Sequence, residues 1–464
     1  MVTIQTERNT DAWRILLFAS NGSELFVLRR PSGFCLPVLR IPPQERIAAS
    51  LNAEAQRLWN LETVCVAPVE IPHPDGTSGC ARYHVMEVRK PQELLRIAPK
   101  AVNIETLKEN AFTDVRDYLA VRCAMKFDAA NSPPDSRGPF SEFDAFQKIS
   151  TWVEQQLRLL GRQWDGTVRQ LHANDSFALI RFRTNGGAAW FKATGEPTRR
   201  EFAVTQTLSA LFPRHMPKIM AVRTDWNAWL SDEIQGRDLD STRDLGSWVC
   251  AAKSLAELQV ASIGNTSEIH ACGAHDSRIT TLLSEVAPFF TAIELLMEAQ
   301  VRTAPGRLHA HEIRIIQLRL TEALSDLEAK AIPDTVNHFD LNPGNTIVCR
   351  GECKFLDWAE AAVGNPFLSF EYLRQHFGRA LAEQGDAATE LRKSYANVWR
   401  RLLPQSTIER AVALMPLVAP FAFAATTLPW KDAHSNAKSR SAGFLRSLAR
   451  RMHREGEQLA CRAA

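Results

Sequence analysis

The sequence has little that would place the protein in a membrane, on nucleic acid or around a structural metal. No apolar run approaches the roughly 20 residues of a membrane span, and the N-terminal stretch lacks a signal-peptide pattern. A net charge of +3 is too small to indicate nucleic-acid binding. Of the nine cysteines, only Cys349 and Cys353 lie close in sequence, so zinc is not expected. These absences predict a cytoplasmic protein with reduced thiols and no nucleic-acid or membrane partner.

The composition is that of an ordinary globular protein. Hydrophobic residues make up 45% of the chain and charged residues 23%. A length of 464 residues is enough for two or three domains, each with its own core. No internal repeat is visible.

A run of polar residues in the second half of the chain is its most informative stretch. Residues 338–345 read His-Phe-Asp-Leu-Asn-Pro-Gly-Asn, and residues 355–358 read Phe-Leu-Asp-Trp. Between them, residues 346–349 and 353–356 predict a β-hairpin. A loop, a hairpin and a following acid can bring Asp340, Asn345 and Asp357 to one cleft. A carboxylate that orients a hydroxyl and two oxygen ligands for Mg²⁺ are what phosphoryl transfer needs.

These residues carry a family resemblance. The spacing of His338, Asp340 and Asn345 is that of the kinase catalytic loop. With Leu-Asp-Trp at 356–358 and Gly-Asn-Pro at 364–366, the text resembles the aminoglycoside phosphotransferase family, small-molecule kinases with the protein-kinase fold. The resemblance implies Asp340 as catalytic base, Asn345 and Asp357 as Mg²⁺ ligands, and His338 as a brace of the loop. The alternative is a turn, rich in Asn and Asp, that closes a hairpin.

Three departures refine the resemblance. No Gly-x-Gly-x-x-Gly loop stands at residues 172–176, where protein kinases cover the phosphates, and this favours the small-molecule enzymes. No Asp-Phe-Gly to Ala-Pro-Glu segment follows Asp357, which argues against a phosphorylation-switched protein kinase. Ser369 stands where the family usually has an aspartate, which weakens the support of the catalytic loop.

A lysine and a glutamate upstream form a candidate phosphate-binding pair. Asn-Gly at 185–186 predicts a hairpin, and Lys192 ends its second strand, where kinase-like folds place the lysine that contacts the α- and β-phosphates. Glu201 shares a helical face with apolar residues and would point toward the sheet. Glu196 is the competing partner, although Pro197 places it before the helix. An exposed lysine and a solvated first-turn glutamate are the structural alternatives.

The segment after this sheet predicts a hinge and then a helical region. We expect adenine to be recognised by backbone groups of Ser231, Asp232 and Glu233. The family builds its acceptor pocket from helices in the region that follows. Candidate linings there, each of which could equally be ordinary surface or core, are His309, His311, Glu371, His376 and Trp430.

The first 130 residues show a different pattern. Residues 13–18 and 24–30 predict strands, and a Leu-Pro loop follows at 36–37. Residues 44–59 then predict a helix, with strands at 64–69 and 81–88. This order resembles the Nudix fold, whose helix carries carboxylates that hydrolyse pyrophosphates. The alternative is an unrelated α+β domain.

The carboxylates of such a helix are largely missing here. Aligning Glu45 with the first glutamate of the Nudix sequence motif places Glu54 on its second. Arg57 and Leu58 then occupy the positions of the paired metal-binding glutamates. Without that pair the charge is too low to hold Mg²⁺, so we expect a degenerate, catalytically silent domain.

We therefore predict an α+β protein in which a degenerate Nudix-like α/β/α domain precedes a bilobal protein-kinase-like fold. The Pro-, Ser- and Gly-containing stretch that starts at residue 128 reads as a linker. The predicted parts are a Nudix-like domain at 1–127, a linker at 128–144, an N-lobe at 145–236 and a mainly helical C-lobe at 237–464.

The predicted function is ATP- and Mg²⁺-dependent phosphorylation of a small-molecule hydroxyl. Asp340 would be the catalytic residue, Asn345 and Asp357 would bind metal, and Lys192 with Glu201 would fix the phosphates. The acceptor stays open. The alternative from another class is a non-catalytic pseudokinase scaffold that senses a nucleotide or metabolite.

Overall fold

The computed structural model describes most of the chain, in ranges separated by short gaps. They are residues 10–19, 22–43, 46–71, 82–90, 101–125, 138–140, 142–174, 176–381, 386–431 and 439–463. The mixture of helices and strands confirms the α+β class. The chain divides into two compact units, one of residues 1–202 with 219–233 and one of residues 203–218 with 234–464.

The first unit begins with a six-stranded mixed sheet. Its strands are β1 (Asp11–Phe18), β2 (Glu24–Phe26), β5 (Val38–Ile41), β6 (Thr63–Val69), β7 (Arg82–Val88) and β8 (Ala101–Asn103), while β3 (Leu28–Arg30) and β4 (Gly33–Cys35) form a separate pair. The order is β6-β7-β1-β2-β8, with β5 also paired to β1. β1 runs parallel to β7 and antiparallel to β2 and β5. Among the residues that the structure describes in this part, the α-helices are α1 (Ile47–Trp59) and α2 (Val115–Met125).

Side chains that alternate along β1 pack into two separate hydrophobic cores. Ile15 and Leu17 pack into the cluster that contains α1, whereas Leu16 and Phe18 pack into the cluster that contains α2. Successive side chains of a strand point to opposite faces, so one strand supports a helix on each side. This is a three-layer α/β/α arrangement. Most of the predicted strands and the helix are confirmed as elements, but the strand predicted at 24–30 is divided into β2 and β3, which belong to different sheets. The relation of this part to the Nudix fold stays a prediction.

Helix α1 begins at Ile47, and the predicted start at residues 44–45 lies outside the described residues. Its buried positions are Ala48, Leu51 and Ala55, at helical spacing. Leu58, three residues after Ala55, is exposed. The helix ends at Asn60, which takes the left-handed conformation that Asn tolerates.

The second part of the first unit is a five-stranded antiparallel sheet. Its strands are β9 (Trp164–Ala173), β10 (Phe177–Thr184), β11 (Gly187–Thr194), β12 (Ile219–Arg223) and β13 (Ala228–Asp232), in the order β12-β13-β11-β10-β9. Helix α3 (Ala145–Leu159) precedes them in the chain. Thr184 pairs with Gly187, so the predicted Asn-Gly hairpin is confirmed as a two-residue turn. Helix α4 (Glu201–Leu211) starts in this unit and continues into the second.

One side chain joins the two sheets of the first unit. The side-chain amide of Gln170, on β9, accepts from Cys65 N at 2.7 Å and donates to Cys65 O at 2.8 Å. Cys65 lies on β6, at the edge of the first sheet, where backbone groups lack a strand partner. Asn52 of α1 donates to the same Gln170 oxygen at 3.0 Å. The first sheet is therefore attached to the second through buried polar contacts.

Part of the predicted linker also takes part in packing. Residues 128–137 and 141 lie outside the described residues. Phe143 is buried in the α2-side core and lies 5.0 Å from the Phe18 ring centroid. Phe140 is buried in the core of the five-stranded sheet. The domain boundaries stay predictions.

The second unit is mainly helical. Its helices are α5 (Leu245–Ser262), α6 (Thr266–Ala271), α7 (Ile279–Glu298), α8 (Ala310–Ala329), α9 (Phe367–Ala380), α10 (Ala387–Trp399), α11 (Gln405–Thr427) and α12 (Arg440–Ala463). Its strands are β14 (Arg237–Asp238), β15 (His275–Ser277), β16 (Thr335–His338), β17 (Thr346–Cys349), β18 (Glu352–Phe355) and β19 (Ala361–Gly364). They form two small sheets, β14-β17-β18 and β15-β19-β16. A single large core, which includes Trp248, Trp358 and Trp399, joins these elements.

Two helices of this unit differ from the expectation that no apolar stretch approaches a membrane span. By length and composition alone, α7 and α11 could each cross a membrane. In the folded protein, 39% of the apolar stretch of α7 and 61% of that of α11 are buried. Both contribute to the core, for example through Phe289 and Phe421, whose ring centroids lie 5.2 Å apart. Helices that form the core of a globular unit meet the same criteria, so this is weak evidence for a membrane.

Candidate active site

The loop after β16 presents one carboxylate between two buried apolar anchors. Phe339 and Leu341 are buried, while Asp340 between them is exposed. Phe339 N donates to Glu360 O at 3.1 Å, and Asn342 N donates to Asp340 O at 2.8 Å. The loop is thus held by its apolar neighbours and by backbone bonds, with the Asp340 carboxylate at the surface.

His338 links this loop to the segment that carries Asp357. Its Nδ1 accepts from Asp340 N at 3.2 Å, so its Nε2 carries the proton and donates to Leu356 O at 2.8 Å. The imidazole is buried and lies 4.5 Å from the Trp358 ring centroid. These contacts fit the predicted role of a brace.

Asn345 is oriented by Asp340. Its Nδ2 donates to the Asp340 backbone oxygen at 3.0 Å and to Asp340 Oδ2 at 3.2 Å. Asn342 Nδ2 donates to the other carboxylate oxygen at 3.1 Å. With its amide nitrogen committed to Asp340, Asn345 has Oδ1 as the atom that could bind a cation.

The hairpin returns the chain to this loop at Asp357. Thr346 pairs with Phe355, and Leu356 N donates to Asn345 O at 2.8 Å, so the two predicted metal ligands stand at the two ends of one hairpin. Asp357 has φ 63°, in the left-handed region that Asp tolerates better than most residues. A short helical turn, Trp358–Glu360, follows at once. Asp340, Asn345 and Asp357 are therefore brought together by local structure alone.

Sequence reasoning missed a buried polar network behind the loop. Ser369 Oγ accepts from His338 N at 2.7 Å and donates to Asn337 Oδ1 at 2.8 Å. Asn337 Nδ2 in turn donates to Gly364 O at 3.1 Å. Ser369, expected to weaken the loop because it replaces an aspartate, fixes β16 to the start of α9. The serine hydroxyl can serve both as donor and as acceptor here.

Lys192 and Glu201 form a buried ion pair in the first unit. Lys192 Nζ lies 2.5 Å from Glu201 Oε1, and the side chains are 11% and 2% exposed. Of the two candidate glutamates, the contact is therefore with Glu201. Nζ also lies 5.1 Å from the Phe177 ring centroid and 5.7 Å from that of Trp229, at cation–π distance.

Two of the three predicted hinge residues, Asp232 and Glu233, use their side chains for ion pairs with neighbouring arginines. Glu233 binds Arg181 through two hydrogen bonds, of 2.6 and 3.0 Å, and the Arg181 guanidinium lowers the pKa of that carboxyl. Asp232 Oδ1 accepts from Arg162 at 2.9 Å. A role in recognising adenine would therefore fall to backbone groups, as predicted.

The backbone pairing singles out Asp232 among these three residues. Glu233 N donates to Ala188 O at 3.1 Å, and Ser231 pairs with Trp190. Bonded pairs alternate in an antiparallel ladder, so the N–H and C=O of Asp232 point away from β11. The described pairing of β13 with β12 ends at Ser231.

Of the candidate acceptor linings, His376 has an electrostatic link to the loop. Burial and the charge of Arg379 lower the pKa of His376, against the carboxylates of Asp340 and Asp240. Glu371 is buried and binds Arg374 at 2.6 Å, and Trp430 is buried. His309 and His311 stack on each other at 6.1 Å at the start of α8.

Helix α1 of the first unit carries the side chains that the sequence alignment set against the metal-binding carboxylates. Arg57 donates to both oxygens of Glu54, at 2.8 and 2.6 Å, and these bonds lower the pKa of Glu54. Leu58 is exposed, and Glu45 lies outside the described residues. The carboxylate that remains is thus neutralised by the arginine at the predicted metal position.

Comparison with known proteins gives limited likeness. No protein-family model matches the sequence, and no curated protein matches it significantly. Among solved structures, a choline kinase from Cryptosporidium parvum Iowa II is similar with a TM-score of 0.47 and 13% identity, over 68% of this chain and 97% of that one. Macrolide 2'-phosphotransferase MphH from Brachybacterium faecium is similar with a TM-score of 0.45 and 15% identity, over 65% and 97%. TM-scores and identities this low do not establish the family or the activity of this chain.

Proposed function

We propose that the protein is an ATP- and Mg²⁺-dependent phosphotransferase that acts on a hydroxyl of a small molecule. Asp340 orients and deprotonates the acceptor hydroxyl, and Asn345 Oδ1 with the Asp357 carboxylate binds Mg²⁺. Lys192, positioned by Glu201, supplies a fixed positive charge for the phosphates of ATP. The backbone of residues 231–233 contacts adenine.

The observation that carries this proposal is the His338-braced loop. One imidazole bonds both Asp340 N and Leu356 O, so the proposed base and the residue before the proposed metal ligand share a rigid support. Phosphoryl transfer depends mainly on positioning and charge stabilisation, which such preorganisation provides. A turn that merely closed a hairpin would need no such bridge.

The path after Asp357 favours a small-molecule acceptor over a protein. The turn Trp358–Glu360 leads directly into β19, which begins at Ala361 and pairs with β16 and β15. This arrangement leaves no long segment at this point that phosphorylation could order, as in regulated protein kinases. We propose that the enzyme is cytoplasmic on the basis of the scattered cysteines of the sequence.

Calorimetric titration with ATP, with and without Mg²⁺, tests the metal site. We expect Mg²⁺ to strengthen ATP binding to the wild type and to have little effect on Asp357→Ala. Changes to the outer partners of a metal site already lower metal affinity about 10- to 100-fold, so loss of a direct ligand should cost at least as much.

Because Asp357 has a positive φ, this experiment needs a second substitution at the same position as a control. Alanine at φ 63° adds backbone strain of about 1–2 kcal/mol. Asp357→Asn tolerates the same conformation and keeps one ligand oxygen, so its Mg²⁺ dependence should be intermediate while its stability stays near that of the wild type. Metal-independent ATP binding by the wild type, or no binding, would favour the pseudokinase scaffold instead.

For the first sheet and α1 we propose a non-catalytic, degenerate Nudix-like module. The supporting observation is the Arg57–Glu54 pair, which leaves α1 without the clustered negative charge that Mg²⁺ requires. The full chain should therefore release no more phosphate or nucleoside monophosphate from an ADP-linked sugar with Mg²⁺ than a metal-free sample.

Asp340→Asn provides the matched background for this measurement, because it removes the proposed phosphotransfer activity without touching α1. Metal-dependent cleavage that persists in Asp340→Asn and disappears in Glu54→Gln would show that the helix is catalytic after all.

A further inference from the structure

Two thiols from distant parts of the chain meet in the second unit. The Cys353 S–H, on β18, donates to the Cys250 sulfur, on α5, at 3.8 Å across a sequence separation of 103 residues. Cys353 N also donates to Ser254 Oγ at 3.0 Å, one helical turn from Cys250. The strand and the helix are therefore fixed to each other beside the two sulfurs.

The two sulfurs differ in accessibility. Cys353 is fully buried, whereas Cys250 is partly exposed. A reagent from solvent therefore reaches Cys250 first, and Cys353 is positioned to react with whatever forms on the Cys250 sulfur.

The surroundings of the two sulfurs also shift their pKa values in opposite directions. The hydrogen bond from Cys353, together with Ser254 and the Lys253 ammonium, lowers the pKa of Cys250, against burial and the charge of Glu257. The hydrogen bond to Cys250 and burial raise the pKa of Cys353, which stays a thiol. The thiolate is the nucleophilic form of cysteine, so Cys250 is the reactive member of the pair.

A metal site does not explain the pair. Within the part of the chain that the structure describes, no three His, Cys, Asp or Glu side chains are grouped so that they could hold a metal ion. Structural zinc needs four ligands, and two sulfurs fall short of that number. Oxidation is the chemistry left to two adjacent thiols.

We propose that Cys250 is a peroxide-reactive thiol and that Cys353 resolves its oxidised form to a Cys250–Cys353 disulfide. The reaction uses one hydroperoxide and no other oxidant. It is independent of the proposed phosphotransferase activity.

The steps balance as follows. The Cys250 thiolate attacks the terminal peroxide oxygen, the O–O bond breaks, and the leaving alkoxide or hydroxide takes a proton from water. Cys250 is then a sulfenic acid, oxidised by two electrons. The Cys353 S–H then passes its proton to the sulfenic oxygen as its sulfur attacks the Cys250 sulfur, the S–O bond breaks, and the oxygen leaves as water. Two thiols and one hydroperoxide give a disulfide, an alcohol or water, and one further water.

Disulfide formation would act on the proposed metal site through the hairpin. The sulfurs must approach from 3.8 Å to about 2.05 Å, which draws β18 toward α5. β18 ends two residues before Asp357, and its partner strand β17 follows directly after Asn345. This consequence, unlike the modification itself, rests on the proposed function.

The test uses the full-length protein, fully reduced and then treated with limiting hydrogen peroxide. Peptide mapping without reduction should recover a linked pair of peptides that contain Cys250 and Cys353. Cys461, exposed on α12, is the internal reference. Cys250 should be oxidised about tenfold faster than Cys461 near pH 7, because the hydrogen bond from Cys353 and the Lys253 ammonium stabilise the Cys250 thiolate.

Single variants separate the two roles. In Cys353→Ser, Cys250 sulfenic acid should accumulate and react with dimedone, whereas Cys250→Ser should form neither adduct nor disulfide. Cys461→Ser should behave as the wild type. A Cys250–Cys349 disulfide, oxidation of Cys250 no faster than that of Cys461, or no sulfenic acid in Cys353→Ser would overturn the assignment.

Calorimetry then tests the coupling to the metal site. The oxidised wild type should bind Mg²⁺-ATP at least about fivefold more weakly than the reduced protein, and dithiothreitol should restore binding. If reduced protein fails to bind Mg²⁺-ATP, the proposed function fails, while the peptide map and the dimedone adduct still decide the modification.

Discussion

Asp340→Asn should lower phosphotransfer by roughly 10²- to 10⁴-fold, the contribution typical of a positioned general base. An amide cannot accept the acceptor's proton, although it keeps nearly the shape of the carboxylate. Transfer is measured as ADP release on a panel of small-molecule alcohols, and ATP binding by calorimetry. ATP affinity should stay close to that of the wild type, because the proposed metal ligands Asn345 and Asp357 remain.

The hydrogen bonds of Asp340 set a limit on how conservative this change is. Its two carboxylate oxygens accept from Asn342 and Asn345, at 3.1 and 3.2 Å. An asparagine places an NH₂ group against one of these donors, which costs about 0.5–1.5 kcal/mol of loop stability. This cost is small and the Asp340 carboxylate is exposed, so the midpoint temperature of thermal unfolding should change little. Asp386→Asn, at the exposed start of α10, is the matched control and should keep full activity.

Survival of transfer within a few-fold of the wild type would show that Asp340 is not the base. The loop would then be a structural turn, and the His338 bridge would serve stability alone. Loss of both transfer and ATP binding would instead indicate that the substitution disturbs Asn345, which Asp340 orients through two hydrogen bonds.

The parts of the site that could be predicted from sequence are those made by local structure. Asp340, Asn345 and Asp357 come together because one loop and one hairpin connect them. Glu201 was selected over Glu196 by its place on a helical face, and the ion pair forms with it.

The contacts that were missed join residues far apart in the chain. Ser369 bonds Asn337 across 32 residues, Gln170 bonds Cys65 across 105, and Cys250 meets Cys353 across 103. Periodicity and turn chemistry report on neighbours within a few residues, so they carry no information about such pairs. Cys349 and Cys353 stood out in the sequence because they lie close together, yet the sulfur to which Cys353 donates lies on α5.

Lys192→Met should destabilise the protein by about 3–5 kcal/mol and abolish transfer. Both members of the ion pair are buried, and Glu201, 2% exposed, would lose its ammonium partner inside the protein. Removing one partner of a buried ion pair is far more costly than the pair's net contribution, because the remaining charge loses an interaction that offset its desolvation. Urea unfolding of the wild type and the variant measures the change in the free energy of unfolding.

The double variant Lys192→Met/Glu201→Leu separates the structural role of the pair from its role toward phosphate. Replacing both members with apolar side chains of similar volume is often neutral or stabilising, so most of the lost stability should return. Transfer should not return, because the positive charge proposed to hold the phosphates is still missing. A double variant that regains both stability and transfer would mean that the pair serves only the fold. One that regains stability but not transfer assigns the ammonium of Lys192 to the chemistry and the carboxylate of Glu201 to holding it in place.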